Sequence, residues 1–164
     1  MDKAIFAAGC FWGVESVFRS VRGVLEVRVG YTGGHTINPS YQDVCTDTTG
    51  HAEAVEITFD PEQVSYMELL DIFWDNHDPT TSNRQGPDHG AQYRSAIFVH
   101  TPRQREAAEQ SRTKAGERFD RPVVTEITDA GEFYPAEEYH QRYHLKKGST
   151  PICAIPRRLR KQPG

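Results

Sequence analysis

The alternation of apolar and polar positions divides this chain into short strand-like and helix-like runs from its first residues onward. Ala4-Ile5-Phe6-Ala7-Ala8 is apolar throughout, as expected of a buried strand. From Phe11 the apolar residues recur as Phe11, Val14, Phe18 and Val21, the three- and four-residue spacing of one helix face. Gly9 lies between the two patterns and permits a sharp turn. Leu25, Val27, Val29 and Tyr31 then alternate as one face of a strand. Residues 30–39 are rich in breakers and read as loop, as does the polar stretch 41–51. Residues 54–59 alternate again and are closed by Asp60-Pro61. Ser65-Tyr66-Met67-Glu68 supplies a capping box for a helix carrying Leu69, Leu70, Phe73 and Trp74. Residues 83–90 read as a polar loop and 95–100 as a short strand. Thr101-Pro102 opens a charged helix reaching about Phe119. A strand over 123–127 and a short helix over 137–143 complete the pattern, and the tail from 146 onward has few apolar residues.

This order, with no internal repeat and no linker, predicts one α+β domain in which helices cover a mixed sheet. The 164 residues suffice for one proper core and are short for two. Charge changes the picture only by exclusion. Nineteen basic against 23 acidic side chains, a net charge of −4, argue against a nucleic-acid or membrane-surface binder with a basic face. The first apolar run is too short for a signal-peptide core, and nothing later approaches a transmembrane length, so a soluble cytoplasmic protein is expected. Asn38 precedes Pro39 and is no glycosylation acceptor. Cys10, Cys45 and Cys153 are dispersed and form no Cys-x-x-Cys. In a reducing compartment they are either structural or individually reactive.

The candidate chemistry centres on Cys10. It falls at or beside a helix N-terminus, where unpaired backbone amides favour a thiolate, although a free cysteine is also a common core residue. Phe11 and Trp12 point in different directions, so at most one fully joins the helix's core face; the other is placed to shape a pocket, unless both are core. Glu53, between Ala52 and Ala54, is a proton donor if apolar surroundings raise its pKa, and a solvated carboxylate otherwise. Tyr41, Asp88 and Tyr93 suit hydrogen bonding to a ligand oxygen, or are scaffold. His51, His77 and His89 keep a cysteine–histidine hydrolase open. His51-Ala52-Glu53 imitates half of a zinc deaminase site, but the matching Pro-Cys-x-x-Cys is absent. The glycines of 30–34 lack the spacing of a phosphate loop. A noncatalytic peptide-binding groove built on Trp12 and the tyrosines is the alternative from another class. The residues alone lead to a cysteine-based enzyme whose reaction stays open.

The motifs taken together narrow it. Gly9-Cys10-Phe11-Trp12-Gly13, Gly30-Tyr31-Thr32-Gly33-Gly34, Tyr41 with Val44-Cys45, and Thr49-Gly50-His51-Ala52-Glu53 occur in that order. Trp74, His77-Asp78-Pro79, Gln85-Gly86 with Asp88, Gly90 and Gln92-Tyr93-Arg94-Ser95, and Phe133-Tyr134 with Ala136-Glu137 and Tyr139-His140-Gln141 follow. The series resembles the A-type peptide methionine sulfoxide reductases from about residue 3 to Cys153. The resemblance implies that Cys10 attacks the sulfur of a methionine S-sulfoxide, free or protein-bound, while Glu53 protonates the leaving oxygen. It places Tyr41, Tyr93 and Asp88 on the polar side of the pocket and Phe11 and Trp12 on the apolar side, against the ε-methyl group. Cys10 would become a sulfenic acid, resolved by Cys153 as a disulfide and reduced by thioredoxin.

Cys153 departs from the family pattern: Ala154 follows where glycine is usual, and no second tail cysteine exists. A one-cysteine cycle cleared by an external thiol is therefore the runner-up. Cys45 matches a position the family does not need for chemistry and is expected to be structural. The expected molecule is a monomer without metal or organic cofactor. Its expected fold is a two-layer sandwich with a ferredoxin-like core, long loops and a mobile C-terminal tail over 146–164 of a single 1–164 domain.

Overall fold

The computed structural model describes residues 1–147 and Lys161. β1 (Asp2–Ala8) turns through Gly9 into α1 (Phe11–Arg19). β2 (Val24–Thr32), α2 (Tyr41–Cys45), β3 (Ala52–Phe59) and α3 (Tyr66–Asp75) follow. A small hairpin, β4 (Arg84–Gln85) and β5 (Asp88–His89), and a 3-10 turn (Ala91–Tyr93) lead into β6 (Ser95–Val99) and α4 (Pro102–Gly116). β7 (Glu126–Asp129), β8 (Tyr134–Pro135), a second 3-10 turn (Glu138–His140) and α5 (Tyr143–Lys147) come last.

The main sheet has the order β7-β6-β1-β3-β2-β8. Its inner part, β6-β1-β3-β2 with α1 and α3 as crossovers, is the ferredoxin-like β-α-β-β-α-β arrangement. The β6–β7 pair is parallel and its neighbours are antiparallel, so the sheet is mixed as expected. Side chains alternate across it. Ala4, Phe6 and Ala8 of β1, Val27, Val29 and Tyr31 of β2, and Val55, Ile57 and Phe59 of β3 form the main core with Phe18, Leu69, Leu70 and Phe73 from the helices. The other face is lined by Ile5, Ala7, Ala52, Ala54, Ala96 and Phe98, packed against Ala130 and Phe133. Four of those six are alanines, small enough for connecting segments rather than helices to cover this side.

Several boundaries differ from the hydrophobic pattern, each for an identifiable reason. A register shift between Val24 and Glu26 turns Val24 inward and leaves Leu25 half exposed, so Leu25 does not share the face of Val27 and Val29. Residues 41–45 are helix, because Ser40 and Asp43 cap each other reciprocally across the first turn. The 83–90 loop contains the β4–β5 pair. Helix α4 stops at Gly116 rather than near Phe119. The strand expected over 123–127 starts only at Glu126, because Val124 N–H donates to Pro79 O at 2.8 Å and pulls the preceding backbone aside. No continuous helix fills 137–143: the chain is held against β2 through Gly30↔Pro135 and Tyr31↔Tyr134, and α5 begins only at Tyr143. The tail expected from 146 thus begins within α5, and the rest of it lies outside the described residues apart from Lys161, whose N–H donates to Ser20 O. Among the described residues no helix is long and apolar enough to cross a membrane.

Gln141 fixes that last segment. Its Oε1 accepts from Val29 N–H at 3.0 Å, and its Nε2 donates to Val29 O and Ala136 O at 2.9 and 3.0 Å. Gln141→Leu leaves these buried backbone groups without partners and should cost about 2–4 kcal/mol, read as a lower urea midpoint.

Candidate active site

Cys10 is the N-cap residue of α1, carried there by the turn at Gly9, whose φ is +96°. The N–H groups of Trp12 and Gly13 point at its sulfur and favour the thiolate, as the helix start predicts. Burial outweighs them. Desolvation, helped by the charges of Glu53 and Asp88, pushes the Cys10 thiol up to about 11. The sulfur is therefore held as a thiol, contrary to the expectation drawn from helix position alone.

Glu53 explains part of this. The alternation of β3 puts it on the same face as Val55, Ile57 and Phe59, so a carboxyl stands where an apolar core residue would. It is 1% exposed. Ala52 and Ala54, expected to enclose it, point to the opposite face instead. Phe11 N–H donates to Glu53 Oε1 at 3.3 Å, and Gln92 Nε2 donates to Oε2 at 3.0 Å. Desolvation raises its pKa to about 7 against the lowering effect of these two bonds. The residue after the thiol is thus bonded to the acid, and at neutral pH the acid is close to half protonated.

The aromatic residues divide as the helix geometry requires. Phe11 is buried, with its ring 5.7 Å from Tyr31 and 5.2 Å from His140. Trp12 is half-buried, stacked on Tyr143 at 3.9 Å and donating through Nε1 to His140 Nδ1 at 3.0 Å. Tyr41, at the start of α2, lies 6.4 Å from the Phe11 ring and 4.5 Å from His140. Its N–H donates to Glu137 Oε2, while Tyr31 Oη donates to Glu137 Oε1, so one carboxylate ties α2 and β2 to the second 3-10 turn. Burial, then a hydrogen bond with Cys45, then the charge of Glu53 raise the Tyr41 hydroxyl far above its usual range. Tyr93 is pushed up to about 12 by burial and then by Glu53 and Asp88. Both phenols are donors at neutral pH. Asp88, on the β5 strand, is half-buried and its charge acts on Cys10, Glu53 and Tyr93 alike. Seven of the eight candidate residues therefore belong to one neighbourhood; Cys153 lies outside the described residues.

Three residues join the site unexpectedly. Gln92 and His140 appear in the motif series but carry no obvious chemistry in the sequence. Cys45, expected to be structural, is exposed and accepts from Gln92 Nε2 at 3.6 Å. Two of the three histidines proposed for a hydrolase are committed elsewhere. His51 Nδ1 accepts from Gly34 N–H, and its Nε2 bonds Thr36 O, pinning the glycine-rich loop. His77 is buried, bonded to Phe73 O and Ser95 Oγ, and its pKa is lowered by that burial to about 4. Neither has a ring nitrogen left for a thiol.

The arrangement pairs a half-buried thiol with a carboxylic acid of near-neutral pKa, two phenol donors and an aromatic wall. It suits proton-assisted attack on a neutral, oxygen-bearing centre. The family model described as peptide methionine sulfoxide reductase matches residues 2–163. The chain is 59% identical over 160 residues to peptide methionine sulfoxide reductase MsrA of Methanothermobacter thermautotrophicus, covering 96% of this chain and 94% of that one. It is 55% identical over 157 residues to the MsrA of Acidobacterium capsulatum, covering 94% and 100%. The fold matches reduced Mxr1 from Saccharomyces cerevisiae with a TM-score of 0.87 at 34% identity, over 98% of this chain and 92% of that one. It matches methionine sulfoxide reductase A of Corynebacterium diphtheriae with a TM-score of 0.81 at 38% identity, over 94% and 82%. The chain belongs to the peptide methionine sulfoxide reductase family and is a thiol-dependent oxidoreductase that reduces methionine sulfoxide to methionine.

Proposed function

We propose that the chain reduces the S epimer of methionine sulfoxide, free and within proteins, by a cycle that begins at Cys10. The observation that carries this is the shared placement of Cys10 and Glu53: the acid is hydrogen-bonded to the residue following the thiol, and burial raises the pKa of both groups. The sulfoxide oxygen takes hydrogen bonds from Glu53, Tyr41 and Tyr93, with Asp88 nearby, and the ε-methyl group rests on the aromatic side formed by Trp12 over Phe11. Glu53 gives its proton to the oxygen. Cys10 Sγ bonds the substrate sulfur and returns its own proton to the Glu53 carboxylate, acquiring thiolate character only as the acid is spent. The S–O bond and the new bond between the two sulfurs both break as the hydroxyl passes to Cys10 and the electron pair returns to the substrate sulfur. Methionine leaves, and Cys10 is a sulfenic acid.

Cys153 then condenses with that sulfenic acid, releasing water and forming a Cys10–Cys153 disulfide that thioredoxin reduces. The chain acts as a single-domain monomer in the reducing cytoplasm.

The test gives reduced protein one equivalent of a peptide carrying both sulfoxide epimers, without reductant, and counts free thiols. Loss of two thiols with consumption of the S epimer alone, and a mapped Cys10–Cys153 disulfide, is expected. Loss of one thiol with the S epimer consumed removes Cys153 from the cycle. Retention of all thiols and both epimers by folded protein overturns the reading.

A further inference from the structure

Glu53 offers two oxygens, and the structure treats them differently. Oε2 accepts the shorter bond, from the Gln92 amide at 3.0 Å; Oε1 accepts the longer one, from Phe11 N–H at 3.3 Å. Gln92 is 4% exposed and sits in the 3-10 turn that also carries Tyr93. That turn is itself tied to the segment just after α2, because Ala91 N–H donates to Asp47 Oδ1 at 3.0 Å. The second hydrogen of the Gln92 amide is directed at Cys45 Sγ, and the Tyr41 hydroxyl hydrogen-bonds the same sulfur. A continuous chain therefore runs from Tyr41 through Cys45 and Gln92 to Glu53. With both hydrogens engaged, the amide presents its nitrogen to the carboxyl.

In a protonated carboxyl group the carbonyl oxygen is the better acceptor and the hydroxyl oxygen the poorer one. The shorter amide bond assigns the carbonyl role to Oε2. The proton is thereby left on Oε1, the oxygen beside Phe11 and hence on the side of Cys10.

We propose that Gln92 is a positioning residue for sulfoxide reduction: its amide, held by Cys45, confines the Glu53 proton to the oxygen bonded by the residue next to the nucleophile. The proposal rests on Glu53 being the acid. It adds that the acid works from one oxygen, and that an exposed thiol on another helix helps to select it.

The test is the pH dependence of sulfenic acid formation in a single turnover, with Gln92→Met and the milder Gln92→Asn. In the wild type the rate falls as Glu53 ionises near neutrality. Loss of the amide N–H removes a bond that favours the ionised carboxyl, so the falling limb moves up by about one pH unit. The low-pH plateau drops by about tenfold, because the proton now divides between both oxygens and the side chain is free to turn. Infrared difference spectra, with Glu53→Gln to identify the carboxyl band, should show the same upward shift independently of turnover. In the Glu53→Gln background the Gln92 change should add no further loss. A limb and carboxyl band that stay at their wild-type pH, in whichever variant folds, overturn the proposal even where the rate is lower, since a structural role predicts only that. If Glu53→Gln itself leaves the single-turnover rate intact, the underlying assignment of the acid falls instead.

Discussion

Glu53→Gln should lower the single-turnover rate of sulfenic acid formation by about 10²–10⁴-fold and, at pH 8, make the protein more stable. The two effects share one cause. The carboxyl is 1% exposed, and its pKa is raised from 4.5 to about 7 mainly by desolvation. Between those values the folded state holds a proton that the unfolded state has released, so stability falls as pH rises through this window and levels off above it. The whole gap corresponds to about 3 kcal/mol. A glutamine of the same shape cannot ionise and escapes that penalty, while losing the proton the sulfoxide oxygen needs. Urea midpoints across pH 4–9 should therefore converge at low pH and separate above neutrality, with the variant the more stable protein. Parallel curves over the whole range would show that Glu53 is not held as described.

The second large effect concerns the turn before the thiol. Gly9 has φ +96°, and a Cβ there would lie 2.7 Å from Gln85 Cγ and 2.9 Å from Gln85 Cβ. Those atoms cannot swing away. Gln85 is clamped on Asp78, accepting from its N–H and donating to its carbonyl, both at 2.8 Å. Gly9→Ala thus combines left-handed backbone strain with a collision near the root of a fixed side chain, and should cost about 2–4 kcal/mol. It should also slow the single turnover, because Cys10 is the next residue and its position against Glu53 depends on this turn. Gly13, four residues on, provides the contrast: a Cβ there meets nothing within 4 Å. Gly13→Ala, inside α1, should leave stability unchanged or raise it by about 0.5–1 kcal/mol. Equal losses from both substitutions would remove the steric account.

The sequence reveals one half of this pair of groups and hides the other. Placing Glu53 inside needs only the period of β3, since it alternates with Val55, Ile57 and Phe59. The sulfur's location at a helix start is equally local. What is not local is the balance at that sulfur: amide dipoles oppose desolvation and two carboxylates, and desolvation prevails because α1 is packed tightly on the sheet. Gln92, Cys45 and His140 escape inspection for the same reason, as their partners are 39 to 128 residues away in the chain. The misplaced elements are short. Helix α2 has five residues and β8 has two, too few for any periodicity, so a cap and a pairing to β2 decide them. The longer elements β1, α1, β3 and α3 bury enough apolar surface for their patterns to be read directly.

The aromatic stack at the site also has an optical consequence. The chain has two tryptophans. Trp74 is buried and donates to Ser111 Oγ, whereas Trp12 lies face to face with Tyr143 at 3.9 Å and 8°. An indole so placed reports on its neighbours through its emission. In a Trp74→Phe background the remaining fluorescence would come from the pocket wall alone. Its intensity and colour would then register both the arrival of a polar sulfoxide and any separation of Tyr143 from α1, giving the enzyme a built-in dye for each step of its cycle.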